Sequence, residues 1–307
     1  MITTYTHGGI KWVDVLSPTR EEIRELMEKY AIHPHIAEEL QSPSLKPRLD
    51  MYENQLYVIL HFPAVHHTHK KEAKKQEIDF ILRQDTLITV RYDTIDALHK
   101  FEKIFEVQSI LNTESHTEDI HTGFLFFFMI QKLYKSLIHE LEYMESALGH
   151  IEEEMFLGHE KDMVVSLSEM SRELIDFGRA ISYHEEILDS LQIAGKTFYG
   201  NDFIFYLRRI VSEYRRVEDM LQGLRAYVAE LRETNNSLVS TKQNEVMKVL
   251  TIMAFVTFPL SLIASIFGMN TLYLPIVGRA GDFWIVIELM AILTLIMFWY
   301  FKHKKWL

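Results

Sequence analysis

Apolar positions are distributed unevenly along the 307-residue chain, and the pattern changes three times. Over the first 110 residues or so they come in short runs. Ile10-Lys11-Trp12-Val13-Asp14-Val15 alternates as a strand does. Ser17-Pro18-Thr19-Arg20-Glu21 predicts a helix start, with a cap residue and proline in the first turn. Residues 51–52 and 56–62 flank Glu53-Asn54-Gln55, and residues 78–83 and 87–92 flank Gln84-Asp85-Thr86. Each pair predicts a hairpin. This part of the chain is expected to be an α/β domain.

From about residue 118 to 248 the pattern becomes helical and proline is absent. Leu133, Leu137, Leu141, Met144 and Leu148 recur every three or four residues, the mark of one helical face. Residues 194–202, with two glycines and Asn201-Asp202, predict a turn between two antiparallel helices. Nothing after that turn interrupts the helix up to residue 267. At 1.5 Å per residue this is roughly 100 Å of helix. Val217, Met220, Leu221, Leu224, Val228 and Leu231 give it an apolar stripe. So long an element finds its natural partners in copies of itself.

Residues 249–267 then carry no charge, and residues 283–301 carry only Glu288. Each run is long enough to cross a hydrocarbon layer of roughly 30 Å. Lys242 and Lys248 precede the first run, Lys302, Lys304 and Lys305 follow the second, and the link between them has only Arg279. Positive charge stays on the cytoplasmic side, so both termini are expected inside and residues 270–282 outside. Trp284, Trp299, Tyr300 and Trp306 lie near the run ends, where amphipathic rings favour the membrane interface. Pro259 removes a backbone hydrogen bond within the first run and is expected to bend it. Glu288 is costly in lipid unless neutral, paired or near the interface; snorkelling or protonation is the plain reading and proton coupling the sharper one.

Charge sharpens the division. Residues 1–245 hold 27 of the 32 basic and 41 of the 43 acidic side chains, within a net charge of -11 for the whole chain. Such a surface repels nucleic acid and attracts cations, although acidity for solubility alone is equally common. The absence of cysteine excludes disulfides, thiolate metal sites and thiol nucleophiles. The N-terminus has no basic region followed by an apolar run, so no cleavable signal peptide is expected.

The first apolar run ends in Phe267-Gly268-Met269-Asn270, followed by a short link, a second run and a lysine-rich tail. In this setting the tripeptide resembles the CorA family, also called the two-membrane-helix GxN family. The likeness covers the architecture of the whole chain. It implies an α+β membrane protein with an N-terminal α/β cytoplasmic domain, a long helical hairpin and stalk helix, and two C-terminal transmembrane helices in a homopentameric funnel. The corresponding boundaries are 1–117 for the α/β domain, 118–245 for hairpin and stalk, and 246–270 for the pore helix. An external loop at 271–282, a second membrane helix at 283–301 and a basic cytoplasmic tail at 302–307 complete the chain. The family resemblance also implies Mg2+ influx, with Co2+ or Ni2+ as further ions, driven by the membrane potential and closed by cytoplasmic Mg2+. The chain would sit in the inner (plasma) membrane, with Mg2+ as substrate and regulatory ligand and no cofactor.

By the same likeness Gly268, Met269 and Asn270 form the selectivity filter, with Asn270 holding hydrated Mg2+ through its waters. Mg2+ sheds water reluctantly, so an uncharged ring of amides suits an entrance that takes the hydrated ion. Gly268 would let the backbone turn sharply, and the alternative for Asn270 is a left-handed helix cap. Aligned back from Asn270, the pore-lining positions are Asn244, Met247, Leu250, Ala254, Phe258, Ser261 and Ser265. Met247 and Leu250 would be apolar constrictions, and the serines would face hydrated ions. Ordinary helix packing is the competing explanation. Phe258 stands where the family often has a smaller residue, and Phe267 replaces a tyrosine. The link has Tyr273-Leu274-Pro275-Ile276 without the family's acidic residue, whose charge Asp282 is expected to supply in part.

Other signals are weaker. Glu213, Glu218 and Asp219 are candidates for a regulatory metal site that needs a neighbouring subunit; Glu152-Glu153-Glu154 reads as a solvated face. His61, His66, His67 and His69 cluster near a hairpin, but a solvated loop fits them better than a metal site, because Lys70, Lys71, Lys74 and Lys75 repel a cation. The alternatives to a Mg2+ channel are a Zn2+ transporter of the same superfamily, with or without coupling to protons, and a two-span membrane receptor or scaffold. The sequence has no phosphate loop, nucleophile elbow or His-Glu-x-x-His motif, so an enzyme is not expected.

Overall fold

The computed structural model describes residues 1–7, 9–64, 76–93, 121–270, 276–278, 281–304 and 306, without the side chain of His7. Contacts divide the chain into two units, Met1–Arg232 and Glu233–Leu307.

The first unit is built on a six-stranded mixed sheet. Its strands are β1 (Ile2–His7), β2 (Ile10–Leu16), β3 (Arg48–Tyr52), β4 (Gln55–Phe62), β5 (Gln76–Leu82) and β6 (Thr86–Arg91), in the order β1-β2-β6-β5-β4-β3. Only β2 and β6 pair in parallel. Both expected hairpins are present; β1, an edge strand, was not anticipated. Every position of β4 and β6 is buried, which explains why these strands read as nearly continuous apolar runs.

One face of the sheet presents Val13, Val15, Tyr57, Ile59, Ile81, Ile88 and Val90 to helices α1 (Arg20–Tyr30) and α2 (Pro34–Glu39). Thr19, not Ser17, caps α1: its side chain accepts from Glu22 N–H, and the Glu22 carboxylate accepts from Thr19 N–H at 2.8 Å. Pro18 therefore precedes the cap instead of lying in the first turn. The helix closes on Ala31 in the left-handed conformation.

The other face meets helical segments. Helix α3 (Thr122–Glu154) places Phe126 edge-on to Phe80 and Tyr134 edge-on to Phe62. A buried His184, just after a break at Ser182-Tyr183, ties the layers together. Its Nε2 lies 2.7 Å from the carbonyl of His61 and its Nδ1 2.8 Å from the Tyr134 hydroxyl. Since a carbonyl only accepts, Nε2 carries the hydrogen and Tyr134 donates to Nδ1. Burial pushes the imidazole down to about 4, so the ring is neutral at pH 7. On the same face Arg91 and Asp14 form a buried ion pair at 2.7 Å, with Thr89 donating to Asp14 and Trp12 to Thr89.

The helical region has more reversals than its sequence suggested. Helix α3 ends in a π-turn at Met155–His159, where Gly158 has φ 101°, and α4 (Glu160–Ile181) returns along α3. A glycine suits that backbone because it has no Cβ to clash. The later turn is shorter than the expected 194–202: α5 (His184–Tyr199) runs to Tyr199, leaving only Gly200-Asn201-Asp202 before α6 (Phe203–Phe267). Ala194 and Gly195, read as turn residues, are buried within α5. Both unexpected results share a cause: the sequence-based assignment weighed loop composition, whereas tertiary packing selected which glycines end a helix.

α6 is continuous over 65 residues, as expected, and carries Pro259 inside it. Its stripe residues Val217, Leu221, Leu224, Val228 and Leu231 are buried within the first unit of the same chain. Their cover thus comes from the chain's own helices, not only from copies of itself. Arg225 crosses α4 at Gly178 and donates to the Leu174 carbonyl at 3.2 Å. A Cβ on Gly178 would stand 2.0 Å from Arg225 Nη2, so only glycine leaves room for that crossing. The second unit holds the rest of α6 and α7 (Asp282–His303).

Candidate ion pathway

The 65-residue α6 and 22-residue α7 are each long and apolar enough to cross a membrane. At the end of α6 the backbone tightens. Gly268 N–H donates to Ala264 O at 2.9 Å, and Met269 N–H to Ile266 O at 3.3 Å, a shift from four-residue to three-residue closure. Gly268 is not in the left-handed region. Its role is space: a Cβ there would come within 3.0 Å of the Ala264 carbonyl. Asn270 does not have a positive φ either, so it does not form the left-handed cap considered from sequence. It ends the described part of α6 as an exposed residue; 271–275 and Arg279 lie outside the described residues, and with them the departures from the family pattern at 273–275.

The less exposed positions of α6 in this unit include Ile252, Val256, Pro259, Ile263 and Phe267 along one helical face, with Lys248, Thr251, Ala254 and Leu260 also partly covered. On α7 they include Val286, Met290, Leu293, Met297 and Phe301. The predicted pore positions lie elsewhere. Leu250, Ala254, Phe258, Ser261 and Ser265 are each two residues from the covered face or nearly so, about 200° around the helix. Asn244, Met247, Leu250, Phe258, Ser261, Ser265, Gly268, Met269 and Asn270 are exposed in the single chain, and Ala254 is half-covered. Phe258 is 73% exposed, the most accessible large apolar side chain of the stripe. An apolar stripe opposite the less exposed face calls for a partner, whether lipid or a second protein surface.

Two side chains not anticipated from sequence bond back to the backbone of this helix. Thr251 and Thr257 each donate to a carbonyl four residues earlier, at Met247 and Met253, both at 2.7 Å. Such back-bonding lets polar side chains sit in an apolar helix and eases local bending near Pro259.

Asp282, read as a free charge near the outer link, is engaged. One carboxylate oxygen accepts from Gly278 N–H at 3.1 Å and the other from Phe283 N–H at 2.7 Å, so it clasps the start of α7. Glu288 is exposed and lies two residues from both Val286 and Met290, on the side of α7 away from the covered stripe.

The regulatory candidates are not brought together in one chain. Glu218 accepts from Gln222 at 2.8 Å, Asp219 is exposed, and Glu213 is half-covered. Among the described residues no three His, Asp or Glu side chains are grouped as metal ligands. His61 does not join a histidine loop: it is buried and pairs with Glu77 at 2.8 Å, while His66, His67 and His69 lie outside the described residues.

A family model described as CorA-like Mg2+ transporter protein matches residues 7–303. The chain belongs to the CorA family. It is 26% identical over 300 residues to the cobalt/magnesium transport protein CorA of Thermotoga maritima, covering 96% of this chain and 83% of that one. Its fold is similar to the complete CorA magnesium transporter of Methanocaldococcus jannaschii, with a TM-score of 0.83 at 20% identity over 99% of this chain and 94% of the other. The ZntB cytoplasmic domain from Vibrio parahaemolyticus is more distant: TM-score 0.59, 13% identity, and coverage of 76% of this chain and 88% of that one. The CorA match includes every candidate position from Asn244 to Asn270, and the fold likeness takes in both membrane-length helices.

Proposed function

We propose that this chain is one subunit of a homopentameric CorA channel that passes Mg2+, with Co2+ and Ni2+ as further ions, into the cytoplasm. The observation that carries the reading is the exposed stripe of Leu250, Phe258, Ser261 and Ser265, about half a turn of α6 from Ile252, Val256, Pro259, Ile263 and Phe267, with exposed Asn270 just beyond the helix end. Five such stripes around an axis would enclose a path with Asn270 amides at its mouth, hydroxyls at Ser265 and Ser261, and apolar rings at Phe258, Leu250 and Met247. In this reading the boundaries 246–270 and 283–301 mark the bilayer-crossing segments, both termini are cytoplasmic, and the membrane is the inner (plasma) membrane. A +2 ion crossing 100 mV gains about 4.6 kcal/mol, enough to drive uptake without another energy source. The names of the relatives support Mg2+ and Co2+ as cargo.

Closure by cytoplasmic Mg2+ would require acidic groups from two subunits, with Glu213, Glu218 and Asp219 as first candidates. The test is flux into liposomes for wild type and Asn270→Ala, with internal Mg2+ varied. Flux that vanishes with the substitution and falls as internal Mg2+ rises supports the channel; unchanged flux in Asn270→Ala removes the amide ring.

The likeness to a ZntB domain keeps one second reading, Zn2+ transport coupled to protons, for which Glu288 is the candidate proton carrier. Zinc uptake that requires a pH gradient, without Mg2+ uptake, would favour it. A receptor or scaffold predicts no flux of either ion.

A further inference from the structure

The first unit contains a carboxylate pair that the ion pathway does not use. Glu77 and Asp79 are two residues apart on β5, so both side chains lie on the face that α1 and α2 cover. Asp79 is completely buried and Glu77 only 6% exposed.

The hydrogen-bond donors around the pair are accounted for one by one. Both Glu77 oxygens accept from the Ser44 backbone N–H, at 2.9 and 2.7 Å. His61 Nε2 adds a contact of 2.8 Å to one of them. Tyr57 and Tyr92 donate to Asp79 Oδ2, at 3.0 and 3.4 Å. Asp79 Oδ1 has no partner although it is buried, and Glu77 is the next side chain along the same face of β5. Arg91, on the next strand, is turned to the other face and committed to Asp14. From β6 the pair meets Val90, and α1 and α2 contribute apolar side chains such as Leu26, Ile36 and Leu40. The titratable groups that face Asp79 are thus Glu77, His61, Tyr57 and Tyr92, among the described residues. A site with no exposure leaves no room for a hydrated metal ion. The cation that fits is a proton. Burial, and then the Glu77 charge, act in the same direction, raising the Asp79 carboxyl well above the usual carboxylate range.

We propose that Asp79 Oδ1 binds a proton at neutral pH and donates it to Glu77, forming a proton-dependent lock in the first unit. The lock joins four chain segments: the α2–β3 link through Ser44, β4 through Tyr57 and His61, β5 itself, and the residues beyond β6 through Tyr92. Loss of the proton places two negative charges side by side without water, and the Ser44 link is the part free to yield.

The sign follows from linkage. The folded chain keeps a proton that the unfolded chain releases near the ordinary aspartate value, so stability falls as pH rises until the folded Asp79 ionises. Infrared spectra of the full chain in detergent, with isotope-labelled aspartate, test the proton directly. One protonated aspartate is expected at pH 7, and it disappears in Asp79→Asn, whose amide can donate to Glu77 in the proton's place. The wild-type folding constant, divided by that of Asp79→Asn, is expected to fall about tenfold per pH unit across this window. Hydrogen exchange at the Ser44 amide should speed up with pH, beyond its intrinsic rate, in wild type only. Fully ionised aspartates at pH 7, or a pH-independent ratio of folding constants, would overturn the lock. If Asp79→Asn does not fold, the labelled wild type alone decides.

Discussion

The two units of this chain treat apolar surface in opposite ways. In Met1–Arg232 the apolar faces of sheet and helices are buried against each other, and buried charges such as Asp14 and Arg91 find partners in the same chain. In Glu233–Leu307 little of either helix is buried, and large apolar side chains such as Phe255, Phe258, Leu262, Trp284 and Leu295 remain exposed. The first unit covers most of its own apolar faces. The second is incomplete as a single chain in water, because its exposed surface is of the kind that lipid or other copies cover. Function is expected where the chain is incomplete, and stability where it is self-sufficient.

That contrast can be broken by changes that should affect one unit and leave the other alone. The largest effect is expected from Asn270→Ala: liposome flux of Mg2+ falls to the level of empty vesicles, while the thermal unfolding of the first unit does not move. If both fall together, the two units are not separable. Next is pH. His184 is held at about 4 by burial, so the folded chain binds its proton more weakly than the unfolded chain. Stability is then present above the unfolded value and lost as pH falls from about 6.5 toward 4, a change of roughly 3 kcal/mol. Asp79 acts in the opposite direction over the same range, so the slope is read from the wild-type folding constant divided by that of His184→Asn, which should fall about tenfold per pH unit as pH drops from about 6.5 to 4. Leu250→Ser should act on the other unit alone, raising residual flux at high internal Mg2+ by wetting an apolar ring. Thr19→Ala removes the cap of α1 and costs about 1 kcal/mol, measured by denaturation. The smallest effect is Gly178→Ala, which makes the flexible end of Arg225 shift from its crossing over α4, at a net cost of at most about 1 kcal/mol once the helix propensity of alanine is counted. A lowered unfolding temperature with flux per folded channel unchanged is the expected pair of results.

Much of the candidate pathway was legible because the membrane imposes strong rules on sequence. Two long apolar runs, one of them with a single carboxylate, the tripeptide at residues 268–270 and a helix without interruption from 203 to 267 could each be read directly. The roles of individual groups were less legible. Asp282 reads as a free charge until its two backbone donors are seen, and His61 reads as part of a histidine loop until it turns up in the core beside Glu77. The reversal at Gly158 was hidden because a single glycine in a helical pattern does not reveal whether the chain bends or continues.

The sequence by itself determined the division into a charged N-terminal part and two membrane-length helices, since hydropathy over some twenty residues needs no knowledge of contacts. It also determined the strands flanking each hairpin, through local alternation and turn residues. Only the tertiary structure decided which carboxylates are buried together, which glycine ends a helix and which face of α6 is left uncovered. Those outcomes depend on residues far apart in the chain: Glu77 meets Ser44, Gly178 meets Arg225, and Leu250, Phe258, Ser261 and Ser265 are left on the exposed side of α6.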